Sequence, residues 1–252
     1  MVKIMQTWKN TIIPNKWLLS PESMKTYLSE CDYVLLTDDD CLAFVENHFP
    51  QYLPIYNNFP YKIQQVDMIR YMWLYIYGGF YFDLDVVLQK PIFHLVYDNQ
   101  NQSYLGDIFV VKSSNRKSIY TNAIMASKPK CDFWLKVLEN ISIDTPWWCK
   151  FSKNLDVFYS TGPNFLSTMI NKYRHIYNIV DLPTSLNKCS VCDNIQECAV
   201  NELARPLEGS SWHSWDGWVM NTLLCYHRSI LLGIICICLL LFIIYRTLKF
   251  QK

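Results

Sequence analysis

The apolar positions of the 252-residue chain fall into short runs divided by turns rich in Pro, Asp and Asn. Val2-Lys3-Ile4-Met5 and Tyr33-Val34-Leu35-Leu36 have the length and composition of buried strands. Between them, Ser20 to Tyr27 predicts a helix with Ser20 as N-cap and Pro21 in its first turn. Cys41-Leu42-Ala43-Phe44-Val45 predicts a second helix, to about residue 48, after the acidic stretch Thr37-Asp38-Asp39-Asp40. Carboxylates there would complement the helix dipole and cap free amides. A Pro-rich loop is expected over 50–60. Ile63 to Tyr77 then reads as a mostly buried helix, ended by Gly78-Gly79, because glycine accepts a left-handed cap at little cost. Phe80-Tyr81-Phe82 follows as a short buried strand, Val86 to Ile92 holds another, and Phe133 to Ile141 is an amphipathic helix. The β-α-β-α-β order predicts an α/β fold with a mostly parallel central sheet and flanking helices. Ligands of such sheets bind beyond the carboxyl ends of the strands.

The last part of the pattern is different. Ile230 through Tyr245 is uninterrupted by charge, with Arg228 before it and Arg246, Lys249 and Lys252 after it. Sixteen residues at ~1.5 Å each give roughly 24 Å, enough with its flanks for a thin-membrane span. The expected organisation is therefore a domain over 1–222, a juxtamembrane linker over 223–229, one transmembrane helix over 230–246 and a basic tail over 247–252. The competing reading is a buried core helix. The start, Met1 to Trp8, lacks the apolar stretch of a signal peptide. Basic residues after the span favour a cytoplasmic tail, while a terminal anchor without a signal would leave the domain in the cytosol, so orientation stays open.

Composition narrows the picture less. A net charge of +1 with no basic stripe argues against nucleic acid as a partner. Of the ten cysteines, Cys189, Cys192 and Cys198 form a cluster that suits disulfides or free thiols better than zinc, since no fourth ligand lies nearby. Asn101-Gln102-Ser103 and Asn140-Ile141-Ser142 fit the short glycosylation pattern.

The candidate chemistry sits after the two glycines. Asp83 and Asp85 are spaced so that a strand would point both to one face. Asp oxygens suit Mg²⁺ or Mn²⁺, which bridge a few carboxylates to substrate phosphates. A pair of turn-forming Asp residues is the plainer reading. Upstream, Asp67, Arg70 and Leu74 share one face of an apolar helix. An Asp and an Arg buried there must either pair with each other or meet a ligand. Thr37-Asp38-Asp39-Asp40 holds a rival D-x-D, read as helix-capping.

The string from Pro60-Tyr61 through Asp67-x-x-Arg70 to Tyr77-Gly78-Gly79-x-Tyr81-x-Asp83-x-Asp85 resembles the D-x-D sugar transferases of glycosyltransferase family 32. That family includes fungal mannosyltransferases and mannosyl-inositolphosphoceramide synthases. The resemblance implies a GT-A type nucleotide-sugar-binding domain and a retaining, Mn²⁺- or Mg²⁺-dependent hexosyltransferase. It implies GDP-mannose, then a UDP-hexose, as donor, and with the anchor it implies a glycolipid or glycan acceptor and a single-pass Golgi or ER protein. On this reading Asp85 binds the metal, and Asp83 contacts ribose, sugar or metal-bound water. Asp67 and Arg70 hold sugar hydroxyls, with Tyr81 packed beside them. Gln6-Thr7-Trp8 resembles the family's first strand, with Met5 where a His is usual, and makes Thr7 and Trp8 nucleotide contacts; the alternative is a Trp packed on that strand. Tyr120 to Pro129 resembles a segment that offers an Asn to the sugar, which points to Asn122, or to a loop cap. Thr161-Gly162-Pro163 matches a turn before a helix at about 164–173. Ser211-Trp212-His213 resembles a late motif whose His213 would complete the metal shell; the alternative is an aromatic belt at a membrane surface, to which Trp218 is suited. The other functional classes weighed are a catalytically inactive, membrane-tethered sugar- or nucleotide-binding protein and a metal-dependent phosphohydrolase, which would want more clustered carboxylate and His ligands than this chain shows.

Overall fold

The computed structural model describes residues 1–113, 119–189, 192–208 and 215–219, with shorter pieces between 221 and 238. The chain divides into two compact units, Met1–Trp212 and His213–Lys252, so the expected boundary at 222 falls inside the second. In the first unit the order is β1 (Lys3–Thr7), α1 (Leu19–Tyr27), β2 (Asp32–Leu36), α2 (Asp38–His48), α3 (Leu53–Asn58) and α4 (Lys62–Ile76). Next come β3 (Gly79–Phe82), β4 (Val86–Leu88), β5 (Tyr97–Asp98), β6 (Ser103–Tyr104), β7 (Ile108–Lys112) and β8 (Tyr120–Ser127). The unit continues through α5 (Phe133–Asn140), α6 (Lys153–Ser160), α7 (Pro163–Tyr173), β9 (Ile179–Leu182), α8 (Ile195–Cys198) and β10 (Ala204–Pro206).

The central sheet has the strand order β2-β1-β3-β8-β7-β9. β1 runs parallel to β2 and β3, and β7 runs parallel to β9. β8 is antiparallel to both β3 and β7, so the sheet is mixed rather than mostly parallel. The reason lies in the connection between Lys112 and Tyr120, which is shorter than the roughly dozen residues a parallel crossover needs. The fold class remains α/β, with helices packed on the sheet.

Alternation along the strands sends side chains to two apolar layers. Met5, Tyr81 and Met125 join α4, α5 and α7 residues such as Met72, Trp134 and Leu166 on one face. Ile4, Phe80, Phe82 and Ala126 join Met24, Leu88 and Phe93 on the other. Between α4 and β3, Gly78 and Gly79 take φ of +63° and +75°. A Cβ on Gly79 would lie 2.1 Å from the Lys3 carbonyl oxygen, so glycine here is what lets β3 enter beside β1.

Four local expectations are corrected. Ser20 does not cap α1; Leu18 occupies that position without a side-chain bond, and the Ser20 hydroxyl serves a buried carbonyl instead. Residues 50–60 are not a plain loop but a 3-10 turn over Pro50–Tyr52 followed by α3, where prolines sit in first turns that tolerate them. β4 pairs antiparallel with β10 in a separate two-stranded sheet. Finally, β3 stops at Phe82, which leaves Asp83 and Asp85 in a turn rather than in a strand. The acidic stretch at 38–40 does open a helix: Thr37 caps α2 in a capping box with Asp40.

Cys189 and Cys198 form a disulfide, and Cys192 is also disulfide-bonded, as preferred over zinc. In the second unit, residues 215–219 are helical and expose Trp215 and Trp218. Among the described residues no helix is long and apolar enough to cross a membrane. Of the expected span 230–246, residues 230, 234, 236 and 239–246 lie outside the described residues.

Candidate active site

The site is built on a buried charge that α4 carries into the sheet. Arg70 and Asp67 are almost fully buried. The Arg70 guanidinium contacts Asp67 Oδ1 at 2.9 Å and Asp83 Oδ1 at 3.1 Å. It also donates to the Asn122 carbonyl at 2.7 Å and lies 4.4 Å from the Tyr81 ring centre. Asp67 accepts from the Asn122 amide at 3.0 Å and from the Thr161 hydroxyl at 2.7 Å. Burial pushes the Asp67 carboxyl up to about 6, with Arg70, Thr161 and Asn122 holding it down. Burial also works against the Arg70 charge, but the facing carboxylates outweigh it and raise its pKa. Among the described residues Arg70 Nε has no partner, an orphaned buried donor in the wall of a cleft.

The Asp83-Leu84-Asp85 turn sits just past the carboxyl end of β3. Its backbone is tied down on several sides. The Asp83 amide donates to Ala123 O at 2.8 Å, the Val86 amide to Asp83 O at 3.1 Å, and the Leu207 amide to Asp85 O at 2.6 Å. Asp83 Oδ1 takes the Tyr81 hydroxyl at 2.5 Å as well as Arg70, so this carboxylate is fixed and partly neutralised. Asp85 is less provided for. Burial, then repulsion from Asp83, pushes its carboxyl up to about 7.

Both acids line a cleft of about 450 Å³, together with Arg70, Tyr81, Thr7, Trp8, Lys9, Lys16, Trp17 and Lys62. Trp8 and Trp17 meet edge to face at 4.9 Å, and the Lys16 ammonium lies 4.5 Å from the Trp17 ring. Trp17 is buried and its indole donates to Glu208 O at 3.2 Å, which sets the ring's angle. The cleft thus joins an aromatic wall, lysine charges and a pair of carboxylates. Among the described residues no third His, Cys, Asp or Glu completes a metal cluster with them. Two hard carboxylates, one of them raised by burial and then by its neighbour's charge, fit a Mg²⁺ or Mn²⁺ ion that keeps water and takes the rest of its shell from a diphosphate.

Of the residues singled out from the sequence, Thr7, Trp8, Arg70, Tyr81, Asp83 and Asp85 come together around this cleft. Asp67 and Asn122 do not line it; they stand behind Arg70 and hold it. His213 lies outside the described residues. Trp17, Lys16 and Thr161 were not foreseen as site residues. The signal for Trp17 was its place in a Pro-Asn-Lys-Trp loop after β1; Thr161 carried none beyond the turn it starts.

Residues 14–105 match the family described as the glycosyltransferase sugar-binding region containing DXD motif. The chain carries that region, and the resemblance to glycosyltransferase family 32 is borne out. The chain is 31% identical to inositol phosphoceramide mannosyltransferase 3 of Schizosaccharomyces pombe, over 84% of this chain and 56% of that protein. It is 27% identical to a mannosyl phosphorylinositol ceramide synthase of Saccharomyces cerevisiae, over 87% of this chain and 54% of that one. The chain therefore spans about half the length of the curated relatives it matches. Among solved structures it is similar to the PaToxG glycosyltransferase, with a TM-score of 0.47 and 16% identity over 69% of each chain, a likeness too partial to carry weight.

Proposed function

We propose that the protein is a glycosyltransferase with a GT-A type nucleotide-sugar domain. It moves a hexose, mannose in the first instance, from a nucleotide-sugar to a glycolipid or glycan acceptor with retention of configuration. The observation that carries this is the meeting of Asp83, Asp85 and Arg70 in one cleft with an aromatic wall. Mannose and GDP-mannose rank ahead of a UDP-hexose because the similar proteins are named as mannosyltransferases.

Asp85, with Asp83 beside it, would hold a Mn²⁺ or Mg²⁺ ion, which supplies Lewis-acid neutralisation of the departing diphosphate. The chain's own residues do the placing. Thr7, Trp8 and Trp17 receive the nucleoside, the rings offering a face for the base. Lys9 and Lys16 offer positive charge near the diphosphate. Arg70, held rigid by Asp67, Asn122 and Tyr81, sets a fixed positive charge in the cleft wall and helps orient the sugar for bond breaking. Asp83 then contacts ribose, sugar or a water in the metal's shell. Retention without a convincing nucleophile implies same-face attack. The acceptor hydroxyl bonds to the anomeric carbon as its bond to the diphosphate breaks, and the hydroxyl proton passes to the leaving phosphate oxygen. The apolar run from Ile230 to Tyr245 would tether this domain to a secretory-pathway membrane, where a lipid acceptor resides.

The test is release of nucleoside diphosphate by the full chain from a panel of GDP- and UDP-sugars, with and without Mn²⁺. One donor is expected to turn over, with loss of activity in EDTA and in Asp85→Asn. Donor binding without turnover under every condition would instead support the inactive, membrane-tethered binding protein.

A further inference from the structure

The geometry points to Gln6 and Ser20 as positioning residues that lock the backbone of the Asp83–Val86 turn and so set its affinity for a divalent cation. This rests on the reading of that turn as the cation site. Gln6 is fully buried in β1, next to the Thr7 that lines the cleft. Its amide Nε2 donates to Ser20 Oγ at 2.8 Å and to the Asp83 carbonyl at 3.2 Å. The Asp83 carbonyl can only accept, which fixes which way the amide faces, and Oε1 then accepts from the Tyr33 hydroxyl at 2.9 Å. Ser20, also fully buried, donates to the Val86 carbonyl at 2.5 Å. One relay of directed hydrogen bonds, Tyr33 to Gln6 to Ser20, therefore ends on the first and last carbonyls of the turn.

The direction of the relay restricts the residue types. The Ser20 hydrogen is committed to Val86, so Ser20 Oγ must receive a proton from Gln6. A glutamate at position 6 has none to give to either Ser20 or the Asp83 carbonyl. The local sequence also shows what Ser20 forgoes: α1 starts without a side-chain cap, although a serine sits in its first turn. The hydroxyl serves the turn instead of the helix.

The turn needs such support because it holds two like charges close together. Carboxylates that repel each other would drift apart in a pliable turn, and a cation would then have to draw them together at the expense of its own binding. Held from β1 and α1 on one side, and from Ala123 and Leu207 on the other, the turn keeps them poised.

A control lies three residues on. Ser23 is buried in the same helix and accepts from the Leu88 amide at 3.0 Å, on β4 and past the turn. Ser23→Ala therefore removes this bond and the one Ser23 donates to the Ser20 carbonyl at 2.7 Å, but touches neither the Ser20 hydroxyl nor Asp83 to Val86. The measurement is Mn²⁺ binding to the full-length protein, followed by the spin-resonance signal of free Mn²⁺, alongside thermal midpoints. Ser20→Ala and Gln6→Met should each weaken Mn²⁺ binding about fivefold, the effect of one net hydrogen bond, and Gln6→Glu at least as much. Ser23→Ala should lower the midpoint by a similar amount and leave the Mn²⁺ affinity alone. Equal Mn²⁺ affinity in wild type, Ser20→Ala and Gln6→Met would overturn the positioning role while leaving the proposed function intact. Failure of the wild type to bind Mn²⁺ would overturn both.

Discussion

The chain contains two acidic turns, and they do opposite work. At 37–40, Asp40 accepts from both the Thr37 amide and hydroxyl, at 2.9 Å and 2.6 Å, and closes a capping box on α2. At 83–85 the second carboxylate lines a cleft close to a like charge, Asp83, which is itself paired with the buried Arg70. Their titrations differ in sign. Hydrogen bonds from Thr37 hold the Asp40 carboxyl below its ordinary value. Burial and Asp83 push Asp85 up to about 7. Asp40 is held by its own turn, whereas burial and a like charge work against ionisation of Asp85. The same three-letter pattern is separated by what surrounds it.

That contrast can be broken at several points. The largest effect is expected from Asp85→Asn, which should lower turnover of the donor about a hundredfold or more, by analogy with removing one preorganised charge-stabilising group. Steady-state kinetics on the panel donor would check it. Next comes Arg70→Met, which leaves Asp67 buried without its counter-charge and should destabilise the fold by about 3–5 kcal/mol. Denaturant unfolding reads this directly.

A subtler effect belongs to the protein without metal. Because the folded state keeps the Asp85 proton up to about 7, against an ordinary value of 3.8, ionising it works against folding as pH rises through that window. Asp85→Asn should therefore raise the melting temperature of the EDTA-treated protein at pH 8, with the gain shrinking as pH falls toward 4. Asp40 behaves in reverse. Its stabilisation is present above the ordinary carboxylate range and is lost as pH falls through its depressed value. Asp40→Ala should cost about 1 kcal/mol at neutral pH and leave donor turnover within twofold of wild type. Asp39→Asn, at an exposed position in the first turn of α2, should be the smallest perturbation of all.

Much of this was legible in the residues. Gly78-Gly79 marked the end of α4, the length of that helix followed from its apolar run, and the Thr37 stretch announced a helix start. Those features are local, so local pattern carries them. The antiparallel insertion of β8 between β3 and β7 is a pairing across the chain, invisible to periodicity, although the short link before Tyr120 hints at it. Ser20 misled because its position suits a cap, while a carbonyl 66 residues away, on Val86, offered a buried acceptor. Asp67 and Arg70 were recognisable as a pair that must be matched. That Asp67 stands behind Arg70 rather than in the cleft depends on Thr161 and Asn122, which arrive from β8 and the turn before α7. Trp17 entered the cleft by folding back against Trp8, a contact between side chains that no spacing rule foretells.

The most direct test of the account is calorimetric titration of GDP into the full-length protein with and without Mn²⁺, repeated for Asp85→Asn and for Asp39→Asn/Asp40→Asn. The account predicts binding that requires Mn²⁺, disappears in Asp85→Asn and persists when the acidic start of α2 is neutralised. Mn²⁺-dependent GDP binding that survives Asp85→Asn, or that vanishes with the α2 carboxylates, would contradict it.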